Sequence, residues 1–66
     1  MIARINGEDM DIACGVSVEA FLAQRKMSEK SVVVEYNRRI LEQREWPHVI
    51  LKDNDSLEII SFVGGG

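Results

Sequence analysis

The chain has 66 residues, 45% hydrophobic and 29% charged, with eleven Asp and Glu against eight Lys and Arg for a net charge of -3. At this length the chain makes one domain with one small core, in which roughly 1.5 kcal/mol of conformational entropy per ordered residue nearly cancels apolar burial, so a deep catalytic pocket is not expected. The composition lies outside the range of disordered chains, and the acidic balance offers no electrostatic footprint for nucleic acid or an anionic membrane; a basic partner surface fits it better.

Residues 1–6, MIARIN, alternate imperfectly, with Ile2, Arg4 and Asn6 against Ala3 and Ile5, and read as a first strand. The Asn6-Gly7 pair is the strongest short hairpin signal, so MDIA at residues 10–13 is expected to pair back as a second strand. Ser17 is placed to cap a short helix with Glu19 in its first turn, and Val18, Phe21, Leu22 and the stem of Arg25 form its inward stripe. The helical pattern fades in KMSEKS at residues 26–31.

Val32 to Tyr36, VVVEY, is a β-branched strand ending on the polar turn Asn37-Arg38-Arg39. The next stretch is irregular: Pro47 disfavours a central strand and biases Trp46 toward extended backbone, so an edge segment or loop is expected as far as Leu51. Lys52 to Asp55 is a turn, with Asn54 suited to its left-handed position, and LEIISF at residues 57–62 is the last strand. Alternation puts Leu57, Ile59 and Ser61 on one side of that strand and Glu58, Ile60 and Phe62 on the other. Glu58 marks the outer side, and the parity of Glu35 places Val33 outward too. The outer face should therefore carry an apolar patch of Val33, Ile60 and Phe62, the kind of feature that meets a partner.

The order of these elements predicts an α+β domain: a mixed sheet of four to five strands packed on one helix. Residues 1–62 are expected to form the domain, and residues 63–66 a flexible glycine tail, because glycine contributes no core side chain and loses the most freedom on ordering.

The remaining groupings point to structure rather than chemistry. Cys14 alone makes no intramolecular disulfide, two-thiol redox centre or multi-cysteine zinc site, and His48 is the only histidine, without the partners of a metal site or a Cys-His nucleophile. Asp53 and Asp55 belong to a turn, and Trp46 packs over an edge of the core. No metal site is expected, and nothing groups a nucleophile, a base and a pocket as an enzyme needs. No apolar run approaches the ~20 residues of a membrane span, and the first residues lack the regions of a secretory signal, so the expected location is cytoplasmic.

The whole chain resembles the thiamine-biosynthesis sulfur carrier family, ThiS. The resemblance is carried by INGE at residues 5–8, VVVEYN at 32–37, Arg44 with Trp46, Leu51, KDNDSLEII at 52–60 and, above all, the terminal FVGGG at 62–66. Two turns depart from the family: Asn54 stands where glycine is frequent, and Asn37-Arg38-Arg39 where Asn-Gly is common. The resemblance implies a ubiquitin-like β-grasp fold. It also implies that the carboxylate of Gly66, carried on Gly64 and Gly65, is adenylated by an E1-like activating enzyme that uses ATP. A desulfurase or rhodanese system then supplies the sulfur of a thiocarboxylate, which is presented to thiazole synthase. Val33, Ile60, Phe62 and Val63 would meet these partners, and the chain itself would bind no cofactor. The small subunit of molybdopterin synthase shares the tail, so molybdopterin or another acceptor stays open. So does a ubiquitin-like interaction module that uses the sheet face without the tail.

Overall fold

The computed structural model of the chain describes residues 1–27 and 32–61. Strand β1 (Ile2–Ile5) reverses through Asn6 and Gly7, both at positive φ (52° and 84°), directly into β2 (Glu8–Asp11). This pair of left-handed residues matches the right-handed twist of the strands it joins, and it sets Ile5 opposite Glu8 and Ile2 opposite Asp11. The second strand therefore starts two residues earlier than MDIA and stops at Asp11, because a two-residue turn leaves no slack before pairing begins.

Helix α1 (Val18–Gln24) begins where expected. Ser17 Oγ accepts from the Ala20 amide at 3.0 Å, Glu19 lies in the first turn, and Val18, Phe21 and Leu22 are buried. Arg25 is not part of the inward stripe: it is exposed and caps the helix, with its guanidinium 5.2 Å from the centre of the Phe21 ring. Lys26, at φ 59°, turns the chain away from the helix. The rest of KMSEKS from residue 28 lies outside the described residues.

Strand β3 (Val32–Tyr36) has the expected bounds. The polar turn after it is shorter than the three residues allotted to it, because Asn37 and Arg38 alone reverse the chain at φ 48° and 71°. Arg39 already belongs to β4 (Arg39–Leu41), which pairs antiparallel with β3. The edge strand thus lies ahead of the proline instead of around it. Pro47 sits inside a 3-10 helix (Gln43–His48), so Trp46 is not extended. Proline's fixed φ suits a helical turn as well as an extended one, and the amides it would interrupt are few in so short a helix. The turn drives Trp46 into the core, where it is 2% exposed and its indole Nε1 has no partner among the described residues.

Strand β5 (Ser56–Ser61) closes the sheet in the order β2-β1-β5-β3-β4. The first and last strands run parallel at its centre, and the other pairs are antiparallel. This five-stranded mixed sheet with one α-helix on one face is the β-grasp arrangement expected. Ala3 and Ile5 of β1, Val32 and Val34 of β3, Leu41 of β4, and Leu57 and Ile59 of β5 point at the helix and pack with Val18, Phe21, Leu22, Trp46 and Leu51. The inward parity of β5 ends before Ser61, which is exposed. Among the described residues no helix is long and apolar enough to cross a membrane.

Candidate functional site

The face of the sheet away from α1 follows from the same alternation that builds the core. Strands β3 and β5 pair so that Val33 stands opposite Ile60 and Glu35 opposite Glu58. Ile60 is 50% exposed, while Val33, Glu35 and Glu58 are half-buried by their neighbours in the sheet. Of the residues assigned to a docking face, the structure thus brings Val33 and Ile60 into contact range on adjacent strands. Phe62, Val63, Gly64, Gly65 and Gly66 lie outside the described residues.

One member of this surface escaped the sequence reading. Ile40, 57% exposed, lies opposite Glu35 on β4 and diagonal to Val33. Its signal was available, since Arg39-Ile40-Leu41 continues a period-two alternation once the turn is shortened to Asn37 and Arg38. Ile50, also exposed, sits apart beside Ser17 at an isolated bridge.

At the start of β5 a network of turn side chains fixes the last strand in place. Asp55, buried, accepts hydrogen bonds from the Tyr36 hydroxyl (2.7 Å), Asn37 Nδ2 (3.2 Å) and the Lys52 amide (2.7 Å). Asn37 Oδ1 accepts in turn from the Ser56 amide at 2.8 Å, and Asn6 Oδ1 from the Ile59 amide at 2.7 Å. Burial, and then the hydrogen bond to Asp55 and its charge, push the Tyr36 hydroxyl up to about 12. Asp53 accepts from the Ile2 amide at 2.8 Å, tying the same turn to β1. Both aspartates therefore have structural work in the turn, as their setting between polar residues implied.

Other sequence-level candidates stay separate. Cys14 and His48 are exposed, and among the described residues no cluster of His, Cys, Asp and Glu suits a metal ion. A surface depression of about 510 Å³ lies between the turns and is lined by Arg4, Asp9, Arg38, Asn54, Asp55 and Ser56 among others; the Asp55 carboxylate in it is taken up by Tyr36, Asn37 and the Lys52 amide.

Known proteins match this architecture. The ThiS family model matches residues 3–66. The sulfur carrier protein ThiS of Bacillus subtilis is 34% identical over 64 residues, covering 96% of this chain and 97% of the relative. A thiazole synthase of Paramagnetospirillum magneticum is 37% identical over 62 residues, which are 94% of this chain but 19% of that protein; the chain spans about a fifth of the thiazole synthases it matches. In solved structures, the crystal structure of the thiamine biosynthesis protein ThiS from Geobacter metallireducens superposes with a TM-score of 0.84 at 30% identity, with all of both chains covered. By fold, by family match through residue 66 and by these relatives, the chain belongs to the ThiS family.

Proposed function

We propose that the chain is a sulfur carrier of thiamine biosynthesis, with residues 63–66 as a tail on a β-grasp domain and the carboxylate of Gly66 as its reactive group. The observation that carries this reading is the near full-length match to the Bacillus carrier together with a family match that includes the terminal glycines. The chemistry is consistent with it. A carboxylate is a poor electrophile until one oxygen becomes a leaving group. Attack by the Gly66 carboxylate on the α-phosphorus of ATP expels pyrophosphate and leaves an acyl-adenylate. A persulfide sulfur then attacks the acyl carbon and AMP departs, leaving an acyl disulfide; a thiol attacks the donor-side sulfur of that bond, which forms a new disulfide and releases the thiocarboxylate. None of these steps asks this chain for a base or a pocket; it is acted upon by an E1-like activating enzyme, with sulfur from a desulfurase or rhodanese system. Gly64 and Gly65 suit the role because a segment without side chains can enter a narrow channel and leave the acyl carbon unhindered.

Thiazole synthase is the proposed sulfur acceptor. Two proteins of that name contain a stretch similar to nearly the whole of this chain, which supports a working association between the two activities. Val33 and Ile60, with Phe62 and Val63 beside the tail, are the proposed contacts for both partners, and a cytoplasmic site of action fits their chemistry.

Adding one alanine after Gly66, or deleting Gly65 and Gly66, should abolish ATP-dependent pyrophosphate release with the activating enzyme while the melting temperature stays at the parental value. Extension moves the carboxylate past the nucleotide and deletion leaves it short, and a misplacement of about 1 Å can cost on the order of 100-fold in rate. Parental turnover by both variants would reduce the glycines to a frayed end and overturn the carrier reading.

A further inference from the structure

The outward pairs of β3 and β5 are unlike in chemistry. Val33 opposite Ile60 is an ordinary apolar pair, but Glu35 opposite Glu58 sets two carboxylates on adjacent strands, where Cβ atoms lie roughly 4.5–5.5 Å apart and like charges destabilise the sheet. Neither glutamate's carboxylate has a hydrogen bond or ion pair with another described residue. The arginine on the same face is engaged elsewhere: Arg4, opposite Ser56, bonds Asp9 at 3.3 Å. The free protein thus keeps an uncompensated acidic pair in the middle of its sheet, framed by Val33, Ile40 and Ile60.

We infer that Glu35 and Glu58 together receive one arginine of the activating enzyme, with Val33, Ile40 and Ile60 packing against the apolar residues around that arginine. The inference rests on the sulfur-carrier reading and adds to it the feature by which the carrier is recognised. Two carboxylates at neighbouring strand positions suit a planar guanidinium, whose donors diverge in a fixed fork, better than the point charge of a lysine. Position and charge select the partner. Residues 62–66 extend at most about 17 Å beyond Ser61, so the sheet face at the end of β5 lies at the rim of whatever site receives Gly66. An enzyme that holds both ATP and that carboxylate must surround them with cationic groups, which makes its rim complementary to an acidic pair.

The test uses the full chain and measures binding to the activating enzyme without ATP, so that a failure of the chemistry strikes the carrier reading and a failure of docking strikes this inference. The double variant Glu35→Gln/Glu58→Gln should bind at least tenfold more weakly, show a flatter dependence of affinity on salt, and melt at a higher temperature than the parent because the repulsion is gone. A control with the same change in net charge, Glu8→Gln/Glu19→Gln, alters two exposed residues on β2 and at the start of α1, and should bind as the parent does. Unchanged affinity in the first variant, equal weakening in the control, or weakening toward thiazole synthase alone would each overturn the inference. If pyrophosphate release fails in the parent while its binding still depends on Glu35 and Glu58, the docking inference stands and the carrier reading falls.

Discussion

Asp55 shows how one residue makes a small domain hold a demanding turn. The residue is 7% exposed, and its carboxylate would be costly to bury without partners, yet three donors from β3, the following turn and Lys52 converge on it. The Tyr36 hydroxyl is the donor whose ionisation reports on the arrangement. Its pKa is raised from 10.0 to about 12, so the folded state favours the neutral phenol, and the associated stability is fully present below pH 10.0 and lost as pH climbs toward about 12. Tyr36→Phe should lower stability at neutral pH by about 1.5–3 kcal/mol, the range for a hydrogen bond to a charged group. It should also remove this residue's share of the alkaline decline, so the parent and variant curves, followed by urea denaturation, converge between pH 10.0 and about 12. Parallel curves across that window would separate Tyr36 from the stability of the turn.

At the scale of elements, most of the fold was legible because local signals and tertiary packing agree. Asn6-Gly7 dictates its hairpin, Ser17 its helix start, and the β-branched run Val32 to Val34 its strand. The segment from Arg39 to His48 was not legible in the same way. Arg38 occupies a left-handed position that favours glycine, which disguised a two-residue turn as a longer polar loop, and the 3-10 helix around Pro47 depends on Trp46 finding the core, a long-range contact no local pattern announces. Once β4 was unread, the exposed position of Ile40 could not be read either. The outward placement of Val33 and Ile60 was recoverable because strand alternation alone determines it. Arg38 gives the turn a measurable property. Its backbone at φ 71° is strained for a residue with a Cβ, so Arg38→Gly should raise stability by about 0.5–1 kcal/mol after the added freedom of the unfolded chain is counted, a gain in Tm of about 3–6 °C in a domain of this size. A melting temperature at or below the parental value would mean that the arginine side chain contributes more to the fold than its backbone costs.

Across the whole molecule, one side of the sheet is committed to the core and the other is the face proposed for recognition, while β5 contributes to both. Leu57 and Ile59 anchor it inward, Glu58 and Ile60 face outward, and its parallel pairing with β1 places it at the centre of the sheet. Under the proposed function this chain needs no pocket of its own, since the nucleotide, the sulfur source and the acceptor would all belong to the partners proposed for it. The most direct measurement of this account is the intact mass of the chain after incubation with ATP, the activating enzyme and a sulfur source. The account predicts that the chain gains the mass of one oxygen replaced by sulfur, that the change maps to the Gly66 carboxyl group, and that it requires ATP. A chain that keeps its original mass while binding the active enzyme, or one that carries the added sulfur on Cys14 instead of Gly66, would contradict it.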